Sequence, residues 1–354
     1  MRDDVSYEKD LTMTTNADSS SETSATRNTA RSWWQGQRAK RTVPPALPSR
    51  PPRMIRRLIL AVVSVLSGLL ALVFVGVGIL YYQGTRPPAG DSQYVALGSS
   101  FAAGPGVGQP APNSPALCMR SAENYAHLLA ASRGLNLTDV TCSGATAANV
   151  LSGKQFFQPP QVDALRSSTE LVTVTVGGND ISYLGNLFAW SCQQDPLRVP
   201  LMWRLEVCTS TPDADVDRQL AELPALLEKI ATEVRQRSPR ATLVFVDYTT
   251  VLPKSGSCPD RLPITEQQLE RSRSLAGQLA DITAAVARNT GALLVRASEI
   301  TRGHDICSAD PWVYPDTFPT TPFSYGPVAY HPTEQAMQAI ADAINQSIPL
   351  LSTK

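Results

Sequence analysis

The sequence has no net charge, because its 31 lysines and arginines balance 31 aspartates and glutamates over 354 residues. Nucleic-acid-binding proteins usually carry a basic excess on one face, so this balance gives no support for a nucleic-acid partner. The sequence also lacks a Cys-x-x-Cys pair, and its few histidines and cysteines form no cluster with metal-ligand spacing. We therefore expect no metal and no cofactor.

Acidic residues are absent between Arg31 and Arg57, a segment that contains eight basic residues. The next 25 residues, Leu58 to Tyr82, carry no charge at all, and about 20 apolar residues suffice to cross a bilayer as a helix. A cleaved secretory signal has a shorter apolar core, of roughly 7–15 residues, near the N-terminus. The sequence therefore predicts one uncleaved transmembrane span. By the positive-inside rule, the N-terminus lies in the cytoplasm and the rest of the chain lies outside the cell membrane.

Cysteine is absent before the apolar run, and all six cysteines follow it. An even number of cysteines on the exported side of a membrane indicates disulfides. Several pairings are compatible with the spacing, which does not choose among them. The cysteines are Cys118, Cys142, Cys192, Cys208, Cys258 and Cys307.

Composition divides the chain into four parts. Residues 1–57 are polar, then basic and Pro-rich, which predicts a disordered cytoplasmic tail. Residues 58–82 form the predicted span, and residues 83–91 form a short linker. Residues 92–350 contain nearly all remaining core-forming positions and predict one globular domain, which we expect to be a monomer.

Short apolar segments alternate with longer amphipathic ones after the linker, which indicates strands that alternate with helices. This order favours a parallel sheet covered on both faces, and five predicted strands fit one doubly wound α/β domain. Ligands of such sheets bind beyond the carboxyl ends of the strands. The predicted strands are Tyr94–Leu97, Leu137–Val140, Leu171–Val176, Thr242–Asp247 and Ala292–Arg296, and the predicted helices are Asn124–Arg133, Asp215–Arg237, Thr265–Asn289 and Thr333–Asn345.

Candidate functional residues follow the first three predicted strands. Ser99 and Ser100 lie in a Gly-Ser-Ser turn, which is not a G-x-S-x-G elbow because Ala102 replaces its second glycine. The second loop contains Gly144, whose backbone N–H can approach a ligand with no side chain in the way. The third contains Asn179, whose amide either donates to a ligand or caps the next helix.

A serine nucleophile needs a base, and the chain offers three histidines. His127 lies on an apolar predicted helix, which favours a packing role. His304 follows the last predicted strand, but the nearby Cys307 indicates a loop held by a disulfide. His331 directly precedes Pro332 at the start of the last predicted helix, which leaves its ring free to point outward. We therefore favour His331 as the base, with His304 as the alternative.

Four segments in this order, "ALGSSFAAGPGV", "CSGATA", "VGGND" and "YHP", resemble the motifs of the SGNH (GDSL-type) hydrolases. These enzymes are esterases and lipases with a flavodoxin-like sheet, and the resemblance covers nearly all of residues 94–345. It implies that Ser100 is the nucleophile and that Ser99 occupies the place of the family's aspartate. It also implies that the Ser100 N–H, Gly144 and Asn179 form an oxyanion hole and that His331 is the base.

The chain departs from the family pattern at the residue that orients the histidine. The family has an aspartate three residues before it, where this chain has Val328. Some relatives use a backbone carbonyl there, so the resemblance implies that the carbonyl of Val328 holds the imidazole N–H. A carbonyl stabilises the imidazolium less than a carboxylate does, which predicts a slower enzyme. Asp305, Asp310 and Asp316 are the alternatives.

The cysteine pattern resembles that of secreted actinobacterial members of the family, which have three disulfides between sequence neighbours. This resemblance implies the pairs Cys118–Cys142, Cys192–Cys208 and Cys258–Cys307.

These observations predict a membrane-anchored, extracytoplasmic serine hydrolase of acyl or acetyl esters, with an envelope lipid or an acylated glycan as its substrate. A non-catalytic binding domain is one alternative, because the orienting aspartate is missing. A carbohydrate O-acyltransferase, whose site would exclude water from the acyl-enzyme, is the other. The segment from Asn186 to Asp213, with Trp190 and Trp203, is a candidate substrate-facing insertion.

Overall fold

The computed structural model describes residues 52–85, 92–201, 204–316 and 326–349. Most of the predicted tail and of the linker therefore lies outside the described residues, and so does Trp203. The first element is helix α1, Arg53–Gly84, which contains the whole predicted span. It is long and apolar enough to cross a membrane, and none of its most apolar 18-residue window is buried against protein.

The remaining described residues form a three-layer α/β fold around one sheet. All strand pairs are parallel, and the strand order is β2-β1-β3-β4-β5. This is the flavodoxin-like doubly wound order, as the sequence predicts. The strands are β1 Tyr94–Gly98, β2 Leu137–Asp139, β3 Leu171–Thr175, β4 Thr242–Val246 and β5 Leu293–Val295.

Helices cover both faces of the sheet, and each predicted helix is present within two residues of its predicted ends. In chain order after α1 the helices are α2 Ser100–Ala103, α3 Tyr125–Arg133, α4 Ala147–Leu151, α5 Tyr183–Gln194, α6 Arg204–Val207, α7 Asp213–Arg237, α8 Glu266–Thr290, α9 Ala297–Ile300 and α10 Glu334–Ser347. Short 3₁₀ turns occupy Ala116–Cys118, Gln161–Ala164 and Pro196–Arg198.

The alternation of side chains along the strands divides the core into two layers. Val95 and Leu97 of β1 point into a core shared with α4, α5, α7 and α8. Tyr94 and Ala96 point to the opposite face, where they pack with α3 and α10. Because every residue of β1 is buried on one face or the other, this strand holds the loop that follows it in a fixed position.

Three disulfides tie the loops to this framework, and they join the pairs that the resemblance implies. Cys118–Cys142 fixes the loop after β2, and Cys192–Cys208 closes the segment after α5. Cys258–Cys307 joins the loops that follow β4 and β5.

Candidate active site

The carboxyl edge of the sheet brings together the first three sequence motifs. Ser100 follows β1, Gly144 follows β2 and Asn179 follows β3, with β1 in the middle of these three strands. Parallel strands all end at the same edge, so the three loops are neighbours although they are distant in sequence.

Ser100 occupies a sharp turn between a buried strand and a short helix. Gly98 has φ +144°, and a Cβ there would lie 2.4 Å from the Thr175 carbonyl oxygen, so only glycine fits. Ser99 is extended, and Ser100 is the first residue of α2. The first N–H groups of a helix have no intrahelical acceptor, and among the described residues none accepts from the Ser100 N–H. This N–H is therefore available to an oxyanion.

The loops of Gly144 and Asn179 are bonded to each other. The Asn179 amide donates one hydrogen to the Ala145 carbonyl at 2.9 Å, and both carboxylate oxygens of Asp180 accept from the Ala147 N–H at 3.0 Å. An amide nitrogen has two hydrogens, so one remains for a ligand. Gly144 is exposed with φ +80°, a conformation that favours glycine. The two donors are thus held side by side.

His331 lies beside the Ser100 loop, and its ring is fixed by a backbone carbonyl. The ring packs against Phe101 at 5.2 Å between centroids, and Nδ1 is 2.8 Å from the Ala329 oxygen. A carbonyl can only accept, so Nδ1 carries the hydrogen and Nε2 is left as an unprotonated acceptor. This nitrogen can take the proton of a serine hydroxyl.

The expected acceptor at Val328 requires a correction. The Val328 carbonyl accepts the backbone N–H of His331 at 3.2 Å, and the carbonyl of Ala329 contacts the ring in its place. Tyr330 between them has φ +65°, and this left-handed turn points the Ala329 oxygen toward the imidazole. Asp305 and Asp310 bond elsewhere, the first to the Cys307 N–H and the second to His304.

Backbone pairing holds the histidine loop in place. The Tyr314 N–H donates to the His331 oxygen and the Tyr330 N–H donates to the Tyr314 oxygen, both at 2.9 Å. His331 is 5% exposed, and this burial lowers the pKa of its imidazole to about 4, while the Ala329 hydrogen bond raises it by less. The ring is therefore neutral at neutral pH, as a general base must be.

Tyr248 is a site residue that sequence reasoning missed. Its hydroxyl accepts from the Gly178 N–H at 2.8 Å and lies 3.0 Å from the Ser99 hydroxyl. It therefore joins the residue before Ser100 to the residue before Asn179. The signal in the sequence was its position two residues after β4, at the same edge of the sheet. Burial raises the pKa of Tyr248 to about 12, so the hydroxyl stays protonated.

We expect Tyr248→Phe to lower the turnover of an ester by about tenfold, because losing one buried hydrogen-bond partner costs about 1–3 kcal/mol. Tyr94→Phe is the matched control, since the Tyr94 hydroxyl is also buried and bonds Thr173 at 2.8 Å within the sheet. Both variants should lower Tm, but only Tyr248→Phe should lower kcat. Equal turnover in the two variants would show that Tyr248 has no positioning role.

The chain is similar in sequence to known lipases and acylhydrolases. Residues 96–339 match the GDSL-like Lipase/Acylhydrolase family. Lipase 2 of Streptomyces coelicolor is 35% identical over 231 residues, which cover 64% of this chain and 77% of that protein. A lipase of Streptomyces rimosus is 27% identical over 250 residues, covering 70% and 84% of the two chains.

Solved structures agree with these sequence matches. The crystal structure of the extracellular lipase of Streptomyces rimosus is similar with a TM-score of 0.56 and 26% identity, covering 73% of this chain and all of that one. That of phospholipase A1 from Streptomyces albidoflavus gives a TM-score of 0.57 and 25% identity, with the same coverage.

Proposed function

The chain belongs to the GDSL-like lipase/acylhydrolase family and is a carboxylic ester hydrolase, and from this premise we propose that Ser100 and His331 carry its reaction. The observation that carries the proposal is the buried, neutral His331. Its Nδ1 is bonded to Ala329, its ring packs against Phe101 next to Ser100, and no group among the described residues bonds its Nε2. Donors from Gly144 and Asn179 occupy the same sheet edge.

In the proposed mechanism the Ser100 Oγ attacks the ester carbonyl carbon while Nε2 of His331 takes the hydroxyl proton. The negative charge that forms on the carbonyl oxygen is stabilised by the N–H groups of Ser100 and Gly144 and by the Asn179 amide. The tetrahedral intermediate collapses, the C–O bond to the alcohol breaks, and His331 returns the proton to that alcohol. Water then attacks the acyl-enzyme with the same base, releasing the acid and free Ser100.

We propose a lipid ester as the substrate class. Two sequence relatives are named lipases, and one structural relative is named a phospholipase A1. These relatives favour transfer of the acyl group to water over transfer to a carbohydrate, and they favour catalysis over a binding role. Acylated glycans and short acetyl esters are further substrates that the same chemistry would accept.

We also propose that the hydrolase domain lies outside the cytoplasmic membrane and is tethered by α1. The length and apolar surface of α1, the eight basic residues that precede its uncharged stretch (residues 58–82) and the three disulfides after it support this arrangement. Disulfides form and persist in oxidising compartments, which for this chain is the outer side.

The proposal is tested with the full chain in detergent micelles, on p-nitrophenyl butyrate and on phosphatidylcholine. We expect release of a carboxylic acid, with kcat/KM constant from neutral pH downward and falling to half near pH 4, because protonated His331 cannot accept the serine proton. No acid release from any ester would refute the proposal, and acyl transfer to added sugar without acid release would favour the transferase.

The same pH range affects stability in a defined direction. The pKa of His331 is lower in the folded chain than in the unfolded one, so the unfolded chain binds a proton first as the pH falls from 6.5 toward 4. Stability therefore decreases over that range. Tm should be recorded at every pH of the kinetic profile, so that unfolding is not mistaken for protonation of the base.

A further inference from the structure

Three leucines of the segment after α5 are exposed far more than the other large apolar side chains of the described domain. Leu197, Leu201 and Leu205 are 81%, 78% and 88% exposed. The remaining exposed large apolar residues of residues 92–201, 204–316 and 326–349 lie between 37% and 46%. Single exposed apolar residues are ordinary, whereas a concentration of them on one segment marks an interaction surface. We call these three residues the leucine face.

A disulfide and hydrogen bonds fix the segment that carries the leucine face. Cys192–Cys208 closes the segment, and the side chain of Asn186, which is 1% exposed, both donates to and accepts from the backbone of Thr211, at 3.1 and 2.7 Å. The Gln193 amide also donates to the Cys208 carbonyl at 2.9 Å. Exposure of the leucines is therefore not the result of a segment without tertiary contacts.

The same segment has an inner side. Val199 is 1% exposed, and its carbonyl accepts from the Arg204 side chain at 2.8 Å. Leu197, Leu201 and Leu205 are spaced four residues apart along the chain, and all three are exposed. Within this segment Val199 packs against the domain, whereas the three leucines are in contact with solvent.

The leucine face lies close to the candidate active site along the chain. It directly follows α5, whose Phe188 packs against His331 at 6.3 Å and against Tyr330 at 5.2 Å between ring centroids. The leucine face thus continues the segment that contacts His331, which suits a surface that supplies the substrate.

We propose that the leucine face inserts into the lipid bilayer and that the enzyme takes its ester from that bilayer. This inference rests on the proposed function, in which α1 crosses the membrane and the substrate is a lipid ester. Only residues 85–93 separate the end of α1 from β1, and nine residues span at most about 30 Å. Such a tether keeps the domain beside the bilayer, so lipid is the apolar partner always within reach.

The first test detects lipid contact without any need for turnover. The photo-reactive residue p-benzoylphenylalanine replaces Leu201 in the full chain, which is reconstituted into phosphatidylcholine vesicles with an alkyne-tagged lipid and irradiated. Leu293→p-benzoylphenylalanine is the matched control, because Leu293 is an exposed leucine, at 37%, on the edge strand β5. We expect about tenfold more lipid adduct at 201, since burying one leucine side chain shifts an equilibrium by about a power of ten.

The second test measures the ratio of turnover on vesicle phosphatidylcholine to turnover on p-nitrophenyl butyrate. Combined Leu197→Gln and Leu205→Gln should lower this ratio by about a hundredfold, or about tenfold per leucine removed from the bilayer. The matched control is the combination of Leu117→Gln and Leu293→Gln, which changes two less exposed leucines and should leave the ratio unchanged.

The outcomes separate this inference from the proposed function. Equal lipid adducts at 201 and 293, or adducts at 201 only with a second copy of the chain, would overturn the leucine face as a bilayer contact. Wild-type protein that hydrolyses neither ester would refute the proposed function, and the adduct measurement would still decide the bilayer contact.

Discussion

Ser100→Ala is expected to lower kcat by about 10⁴-fold or more, because it removes the proposed nucleophile and leaves only binding and the proposed oxyanion donors. Ser100 is 8% exposed in the turn after β1, so alanine fits the site and the fold should persist. Turnover of p-nitrophenyl butyrate measures the loss. Labelling with a fluorophosphonate, which phosphonylates an activated serine, should disappear in the same variant.

Ser99→Ala is the matched control for the neighbouring hydroxyl. Ser99 is completely buried, and its hydroxyl lies 3.0 Å from that of Tyr248 and 3.3 Å from the Thr175 carbonyl oxygen. Its loss should lower kcat by about tenfold at most, through looser positioning of the turn. Labelling should be retained. A larger loss for Ser99→Ala than for Ser100→Ala would reverse the assignment of the nucleophile.

His331→Gln is expected to lower kcat/KM by about 10⁴-fold, since glutamine can occupy much of the ring volume but cannot take a proton from Ser100. The remaining activity should lose the inflection near pH 4, because the titrating group is gone. A variant that keeps that inflection would show that another group is the base.

His304→Gln tests the competing histidine with the same substitution. The His304 ring stacks on Trp312 at 3.9 Å between centroids, and its Nδ1 is 2.8 Å from the Asp310 carbonyl oxygen. These contacts give it a structural role in the loop after β5. Turnover should stay within about twofold of wild type, in line with changes distant from a site. A large loss in this variant with little loss in His331→Gln would exchange the two assignments.

The fold could be predicted from local patterns because the parallel strands are continuous apolar runs between polar turns. β1 and β3 are buried at every position, so their sequences "YVALG" and "LVTVT" contain the whole signal. Once the strands were assigned, the rule that functional loops follow their carboxyl ends brought Ser100, Gly144 and Asn179 to one edge.

Helix α5 and Tyr248 escaped prediction because their signals are tertiary. Most of α5 is buried, including Trp190 at 8% exposure, so the helix has no regular polar face to give a helical period. Trp190 is thus a packing residue and not a substrate-facing one. The role of Tyr248 depends on contacts with Ser99 and Gly178, which lie 149 and 70 residues away along the chain.

The sequence predicts that a backbone carbonyl accepts the hydrogen of His331 Nδ1, but it does not predict which residue supplies that carbonyl. The absence of an aspartate at 328 indicates a backbone carbonyl, but which carbonyl faces the ring depends on the left-handed φ of Tyr330. Non-glycine residues adopt that conformation rarely, and nothing in "VAYHP" marks it.

Because the third member of the proposed triad is a main-chain oxygen, no codon specifies it. A missense change at Ala329 replaces a methyl group but leaves the carbonyl in place, so the proposed contribution of this carbonyl cannot be deleted by altering the residue that supplies it. A substitution could instead affect this contact through the neighbouring Tyr330, whose left-handed backbone conformation orients the Ala329 carbonyl. The family match over residues 96–339 persists without the aspartate, so this position does not decide family membership.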